Sequence, residues 1–258
     1  MSKVRIQKLL SELGVASRRA IEQMVMEGRI AVNGHTVATL PCFVDADVDE
    51  IRADGRRVRT PAGGRNGRIE NIERVYFLLN KPQGVVCTQH DPAGRPRAVD
   101  LVPAGGRRVY CVGRLDVQTT GLILLTNDGR LTQQLTHPRY GVVKTYVAQV
   151  EGRLDEKNIA RLKRPTHLDG RRTAGAQVKV LRKSPDRSLL EIKLREGRNR
   201  EIRRTLARLG HKVRRLKRVA IGPVTDRGLK IGNSRRLRKG EVTSLRRAAA
   251  RANRSDSN

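Results

Sequence analysis

The chain of 258 residues contains no tryptophan, two phenylalanines and four tyrosines. So few aromatic side chains exclude the aromatic-rich stacking platform with which many proteins bind single-stranded nucleic acid. Acidic residues are also in short supply, with 25 Asp and Glu against 55 Lys and Arg, a formal net charge of +30. A folded chain with this excess of positive charge indicates a polyanionic partner.

Long apolar runs are missing too, and the first residues lack an apolar core followed by a cleavage site. We therefore expect a soluble, cytoplasmic protein that makes no use of a membrane. Three cysteines, Cys42, Cys87 and Cys111, lie far apart in apolar segments, which predicts free, packed thiols rather than zinc ligands or disulfides. The five histidines have no metal-binding spacing, so we expect no metal site.

Positive charge is concentrated in the last quarter of the chain. Residues 1–60 carry ten basic and eight acidic side chains, whereas residues 195–218 and 227–254 each have a net charge of +9. A Gly-rich segment follows the first block and is typical of a flexible linker. The predicted division is a domain at residues 1–60, a linker at 61–73, a domain at 74–245 and a basic, disordered tail at 246–258.

The apolar periodicity predicts elements of both kinds. In the first block it indicates two short helices, the second capped by Ser17 and ending near Gly28, and then a hairpin at Asn33–Gly34. In the second block, strands alternate with helices, which favours a mixed sheet with helices on its faces. The predicted strands are Val75–Leu79, Leu122–Leu125, Tyr146–Val150, Gln177–Leu181 and Leu189–Leu194; the predicted helices are Arg130–Leu135, Glu156–Leu162 and Arg200–Leu209.

Two short helices followed by R-I-A-V-N-G resemble the S4-type RNA-binding domain over about residues 3–60. The residues that carry the resemblance are Lys8, Ser17, Arg18, Arg19, Gly28, Val32, Asn33 and Gly34. It implies that Lys8, Arg18 and Arg19 bind RNA, with the two arginines at the start of a helix, where amide groups also meet phosphates. An ordinary solvated helix end would have the same pair of arginines.

Six short motifs follow in the second block. Taken singly they are unspecific, because Asp in a Gly-rich loop is usually a turn residue and Tyr in a strand usually packs. They are N-K-P at Asn80–Pro82, G-R-L-D-x-x-T-x-G-L at Gly113–Leu122, L-T-N-D-G at Leu125–Gly129, H-P at His137–Pro138, K-T-Y at Lys144–Tyr146 and E-G-R-N-R-x-I-R-R at Glu196–Arg204.

In this order the motifs resemble the pseudouridine synthases of the ribosomal type, the RsuA/RluB family, over about residues 74–245. The resemblance implies an α+β fold, in which the small RNA-binding domain precedes a catalytic domain built on a mixed, mainly antiparallel sheet with flanking helices. It also implies the reaction. A uridine in ribosomal RNA is isomerised to its C-glycoside without a cofactor.

The resemblance assigns the catalytic aspartate to Asp116. This carboxylate would act as the nucleophile at C1′ or as the base that removes the ribose 2′ proton, and either role suits a carboxylate with a cation beside it. Arg203 matches the arginine that pairs with the aspartate, since a guanidinium fork fits a carboxylate. Arg198 is the alternative partner.

Three further residues match substrate-binding positions. Tyr146 would stack on the target base and serve in the final proton transfer. Arg114 would help displace the nucleotide from its helix, and Leu216 would pack near the uracil. Extruding a base costs a few kcal/mol of stacking, which basic contacts to the RNA backbone must offset.

Several alternatives stay open at this level. The K-T-Y-V-A-x-V segment and the basic tail favour large-subunit RNA over small-subunit RNA as the target. A non-catalytic ribosome assembly factor would use the same basic surfaces, but it would not need Asp116 and Tyr146. A metal-dependent nuclease using Asp116 and Asp128 is disfavoured, because Asp128–Gly129 is typical of a hairpin turn. The expected partner is ribosomal RNA or a pre-ribosomal particle, and the default oligomeric state is a monomer.

Overall fold

The structure, a computed structural model, describes residues 3–60, 73–168 and 170–255, with side chains as far as Arg251. Residues 61–72 of the predicted linker lie outside the described residues. The chain divides into two units, one formed by residues up to Arg74 together with Gly106–Arg108, and one formed by the rest. In the described part of the chain, no helix is both long enough and apolar enough to cross a bilayer.

The first unit has two helices packed on small antiparallel strands. The predicted second helix is confirmed: the Ser17 hydroxyl accepts a hydrogen bond from the Ala20 amide at 3.1 Å, and Gly28 follows the helix with a φ of +70°. The elements are α1 (Ile6–Glu12), α2 (Arg18–Met26), β1 (Val4–Arg5), β2 (Ile30–Val32), β3 (His35–Thr36), β4 (Phe43–Val44), β5 (Ile51–Ala53) and β6 (Arg56–Arg57). Strands pair in the order β3-β2-β5-β6, so the predicted Asn33–Gly34 hairpin joins β2 to β3.

The second unit contains four helices and most of the strands in the described chain. Its helices are α3 (Gly129–Thr136), α4 (Glu156–Lys163), α5 (Glu201–Arg208) and α6 (Lys239–Ser255). Its strands are β7 (Tyr76–Lys81), β8 (Tyr110–Cys111), β9 (Thr120–Thr126), β10 (Lys144–Glu151), β11 (His167–Leu168), β12 (Arg171–Arg172), β13 (Gln177–Lys183), β14 (Arg187–Leu194), β15 (Val213–Ile221), β16 (Val224–Thr225) and β17 (Ser234–Arg236).

One large sheet runs through this unit in the order β13-β14-β10-β15-β9-β7-β17, with β16 beside β15 and β8 beside β9. Every pair in it is antiparallel except β9 with β15, where Thr120 lies opposite Lys217 and Gly121 opposite Arg218. This mixed, mainly antiparallel sheet with flanking helices confirms the predicted fold class. The predicted strands and helices all occur, with ends shifted by a few residues.

Both faces of the central strands are buried, which explains why β7 and β9 read as continuous apolar runs. Leu78 and Leu124 belong to one core cluster, with apolar residues of α3 and α6. Their neighbours Phe77 and Leu125 belong to the other cluster, with apolar residues of α4 and α5. Helices therefore cover the sheet on both sides.

The predicted disordered tail from residue 246 is wrong for the residues that the structure describes. Helix α6 continues to Ser255, and Val242, Leu245 and Ala249 on it are all buried. Their spacing of three and four residues gives an apolar stripe against α3 and the sheet. Sequence reading missed the stripe because it lies among ten basic residues.

The predicted hairpin turn at Asp128–Gly129 is also wrong. Asp128 is the N-cap of α3, and its carboxylate accepts a hydrogen bond from the Leu131 amide at 3.0 Å. The same carboxylate accepts from the Tyr76 hydroxyl at 2.9 Å and from Arg246 at 3.0 Å. Asp128 therefore joins β7, α3 and α6, and its burial makes it a structural residue.

Gly121 permits the parallel contact between β9 and β15. Its φ is +103°, and a Cβ at this position would lie 2.2 Å from the backbone oxygen of Arg218. We expect Gly121→Ala to lower the free energy of unfolding by roughly 3 kcal/mol, because two strands must move apart and the backbone is strained. Gly240→Ala is the control, since nothing lies within 4 Å of its added carbon. Urea unfolding followed by circular dichroism measures both, and equal stability of the two variants would contradict this account.

Candidate active site

Asp116 lies in the loop between β8 and β9, and this loop is tied down at several points. The Thr119 amide donates to the Asp116 carbonyl at 2.9 Å, and the Gly84 amide donates to the Val117 carbonyl at 2.9 Å. The Leu115 amide points at the Cys87 sulfur, 3.5 Å away. Backbone bonds from two directions thus fix the loop, and the Asp116 side chain, 26% exposed, projects from it.

The turn that contains the N-K-P motif supports the loop that carries Asp116. Lys81 is fully buried, and its ammonium donates to the carbonyls of Pro82 at 2.9 Å and Val85 at 2.8 Å. Burial lowers the pKa of Lys81, and its two carbonyl partners satisfy it without a carboxylate. The turn that Lys81 closes contains Gly84, which holds the Asp116 loop through Val117.

A cavity of about 370 Å³ opens beside Asp116, a volume in the range of small-molecule sites. Its walls come from the Asp116 loop, from β10 and β15, and from the turn that precedes α5. Tyr146 and Leu216, both buried, lie on adjacent strands of this wall. The structure therefore brings Asp116, Tyr146 and Leu216 together around one space, and Arg114 lines the same space.

The side chain that pairs with Asp116 is Arg200, which neither of the two sequence assignments named. A terminal nitrogen of Arg200 lies 3.3 Å from a carboxylate oxygen of Asp116. Arg200 is the residue before α5 and has a left-handed φ of 50°, which turns its side chain toward the loop. Because Arg200 is 44% exposed, this ion pair is weak and open to displacement by a ligand.

Arg203, the predicted partner, instead joins backbone segments. It donates to the Val213 carbonyl at 2.9 Å and, at 3.5 Å, to the carbonyl of Gln118 in the Asp116 loop. Burial, followed by the charge of Arg200, lowers the pKa of Arg203, while Asp116 acts in the opposite direction. Arg203 therefore braces the loop near Asp116 without contacting the carboxylate.

Arg198, the alternative partner, is engaged elsewhere. Its side chain pairs with Glu196 at 3.1 Å and donates to the carbonyls of Arg171 and Arg172 in the hairpin of β11 and β12. Arg198 lines the cavity, but its nitrogens hold the turn before α5 against that hairpin. Its role in the structure is to shape the wall.

The predicted RNA contacts of the first unit lie on its surface. Lys8 on α1 and both Arg18 and Arg19 in the first turn of α2 are exposed. The side chains of these three residues form no hydrogen bond or ion pair within the described chain. They remain predictions as RNA contacts.

Two cavity residues escaped the sequence analysis as functional residues. Lys144 lies two residues before Tyr146 on β10, and Arg218 lies directly opposite Tyr146 on β15. Lys144 is the first residue of the K-T-Y motif, and Arg218 lies in a run of basic residues. The two-residue spacing, which puts side chains on one face of a strand, was the available signal for Lys144.

The two arginines near Asp116 should respond differently to truncation. Arg203→Ala removes two backbone contacts of a partly buried guanidinium, so we expect a loss of about 1–2 kcal/mol in the free energy of unfolding. Arg200→Ala removes one exposed ion pair, so the expected change is below about 0.5 kcal/mol. Urea denaturation of both variants makes the comparison. If Arg200→Ala lowered the free energy of unfolding more than Arg203→Ala, the roles assigned to these two arginines would be wrong.

Comparisons with known proteins agree with this geometry. Residues 75–208 match the RNA pseudouridylate synthase family, and residues 4–39 match the S4 domain. An RNA pseudouridine synthase of uncharacterised specificity from Aquifex aeolicus is 40% identical over 96% of both chains. Ribosomal large subunit pseudouridine synthase B of Bacillus subtilis is 39% identical over 95% of this chain and 96% of its own. A crystal structure of a pseudouridylate synthase superposes with a TM-score of 0.65 at 29% identity, covering 94% of this chain and 99% of that one. The chain therefore belongs to the RNA pseudouridine synthase family, is an enzyme that isomerises uridine in RNA, and carries an S4 domain in its N-terminal part.

Proposed function

We propose that this enzyme converts a uridine of large-subunit ribosomal RNA to pseudouridine, with Asp116 as its catalytic residue. The observation that carries the choice of RNA is the similarity to ribosomal large subunit pseudouridine synthase B of Bacillus subtilis over nearly the whole of both chains. Because the proposed substrate is ribosomal RNA, we place the enzyme in the cytoplasm. A small-subunit target is the competing outcome.

The proposed chemistry centres on the Asp116 carboxylate at the cavity wall. It either attacks C1′ of the target ribose or takes the 2′ proton, and both routes need the ionised form. Arg200 supplies a positive charge 3.3 Å from this carboxylate. Because that pair is exposed and weak, the incoming nucleotide can separate it and face the carboxylate directly.

Tyr146 and Leu216 form the proposed base-binding wall. Both are more than 90% buried and line the cavity from neighbouring strands, so they present a flat aromatic ring and an aliphatic surface to an extruded uracil. Arg114 is exposed at the same cavity and is placed to occupy the space that the extruded nucleotide leaves.

The charge of the last quarter supports binding to the RNA backbone, although not through every arginine. Arg235 is held by Glu241 through two contacts of 2.7 Å, and Arg246 is held by Asp128. Arg238, Lys239 and Arg247 are exposed and form no ion pair with a carboxylate in the described chain.

Asp116→Asn should abolish product formation while RNA binding persists. The amide is nearly isosteric, but it is a poor nucleophile and a poor base, so both catalytic routes stop. Loss of one negative charge beside RNA leaves binding unchanged or slightly tighter. Tritium release from ribosomal RNA labelled at C5 of uridine, together with filter binding, measures the two effects. Tritium release at the wild-type rate would remove Asp116 from the proposal.

Binding should depend on salt through the exposed basic residues of the C-terminal segment. Each neutralised phosphate contributes a slope of roughly −0.7 to −0.9 in log affinity against log salt. Replacing Arg238, Lys239 and Arg247 by Ala should therefore flatten the slope by up to about 2.7. The control replaces three exposed basic residues of α4, Lys157, Arg161 and Lys163, and should leave the slope unchanged. Equal slopes for both triple variants would show that the C-terminal segment does not contact RNA.

The target itself can be identified by mapping. Pseudouridines in both ribosomal RNAs are compared between cells with the protein, cells without it, and cells that contain only Asp116→Asn. Loss of one large-subunit pseudouridine in the last two strains is the expected result, and loss of a small-subunit pseudouridine would overturn the choice of RNA.

A further inference from the structure

Two cations face the proposed active-site cavity without a carboxylate partner. Arg218 is 4% exposed, and its Nε donates to the Leu122 carbonyl at 2.6 Å, which fixes the direction of the guanidinium. One of its terminal nitrogens is completely buried and has no hydrogen-bond partner among the residues that the structure describes. Burying an unpaired donor of a charged group costs free energy, so this arrangement needs an explanation.

Lys144 stands beside Arg218 in the same wall. No hydrogen bond or ion pair holds its ammonium group within the described part of the chain. Burial, together with the positive charge of Arg218, lowers the pKa of Lys144 to about 8. Two like charges that destabilise each other in the free protein are a preorganised site for an anion or for oxygens that become negative.

The positions of Lys144 and Arg218 relative to Asp116 indicate which part of the nucleotide they contact. Tyr146 lies directly opposite Arg218 and two residues from Lys144, so the cations flank the predicted base-stacking ring on the sheet wall of the cavity. Asp116 projects into the cavity from the separate loop that carries it. The ribose must meet Asp116, and the base must meet Tyr146. The pair is therefore placed to contact the base.

We propose that Lys144 and Arg218 stabilise the uracil anion that forms when the glycosidic bond breaks. The inference rests on the proposed site around Asp116. When the N1–C1′ bond breaks by either route, its electron pair remains on the uracil, and the negative charge spreads to O2 and O4. The two cations donate to these oxygens while the ring turns. The C5 electron pair then forms the bond to C1′. In the nucleophilic route the bond between Asp116 and C1′ breaks at this point, and in the deprotonation route Asp116 returns the proton to C2′. C5 finally loses its proton, and N1 gains one.

Other charged and titratable side chains share the cavity and set the background for any pH dependence. They are Arg114 and Asp116 in the loop, Tyr146 on β10, and Arg198, Arg200 and Glu201 at the start of α5. The carboxylate of Glu201 accepts from the Arg198 amide at 3.0 Å, so the structure already assigns it a partner.

The test compares Lys144→Met with Lys193→Met in the wild-type full-length chain. Lys144 has no partner to lose, so its variant is expected to fold, which circular dichroism verifies. Lys193 is a matched control because it lies on the adjacent strand and is 43% exposed, with an ion pair to Glu191 at 3.4 Å. The substrate is the RNA whose modified uridine the mapping has identified.

Lys144→Met should lower the single-turnover rate about 100-fold, the usual effect of losing one donor to a developing anion. The affinity for RNA should change less than threefold, and Lys193→Met should match the wild type. A substrate with 5-fluorouridine at the target position sharpens the test, because fluorine makes the departing base a more stable anion. Consumption of fluorouridine by Lys144→Met should lag behind wild type by about tenfold or less.

The dependence of the rate on pH tests whether the positive charge of Lys144, rather than its shape, is required. For the wild type, the second-order rate constant should fall above about pH 8, as Lys144 loses its proton. Lys144→Arg should keep most of the activity and stay level up to pH 9, because a guanidinium remains protonated.

Three results would overturn the inference. They are an unchanged rate for Lys144→Met, an equal deficit with uridine and with fluorouridine, or a loss confined to RNA affinity, which would mean that the pair binds phosphate. Asp116→Asn serves as the reference. If it is inactive while Lys144→Met is fully active, only this inference fails, whereas an active Asp116→Asn removes the proposed site itself.

Discussion

The parallel contact between β9 and β15 is the constraint on which the rest of this structure depends. It joins two antiparallel groups of strands into one sheet, and it does so at Gly121 and Arg218. Only a residue without a Cβ allows the strands to approach this closely. The loop that precedes β9 therefore emerges beside β15, which brings Asp116 to the wall made by β10 and β15.

Electrostatic strain is concentrated at the same junction. The cavity wall holds several cations and few anions, and within the described residues Asp116 forms an ion pair with the exposed Arg200. Such a site is costly in the free protein and becomes favourable when a polyanion and a developing negative charge occupy it. Two structural ion pairs, Asp128 with Arg246 and Glu241 with Arg235, lie away from the cavity and stabilise the last helix.

Much of the fold followed from local patterns. Apolar runs predicted β7 and β9, because both faces of these strands are buried. Apolar periodicity predicted α4 and α5, and for α2 the capping residues Ser17 and Gly28 supported it. Two errors had one cause, which is that the deciding contact is remote in sequence. Asp128 was assigned to a hairpin turn although Tyr76 and Arg246 bind it as the cap of α3. The apolar stripe that contains Leu245 and Ala249 on α6 packs against the sheet, and this contact joins segments that are distant in sequence.

By itself, the sequence determined the family, the enzyme class, the α+β fold and the identity of the cavity residues Asp116, Tyr146 and Leu216. Motifs specify which residues are present and in which order. Asp116 and Tyr146 lie within two of these motifs, whereas Leu216 was assigned by its match to a substrate-binding position of the family. Tertiary structure alone decided the partners. Arg198, Arg200 and Arg203 fall within six residues of one another, so spacing could not rank them. The left-handed backbone at Arg200 turned that side chain to Asp116, while Val213 and Gln118 engaged Arg203. The Lys144–Arg218 pair likewise exists only because two strands, distant in the chain, lie side by side.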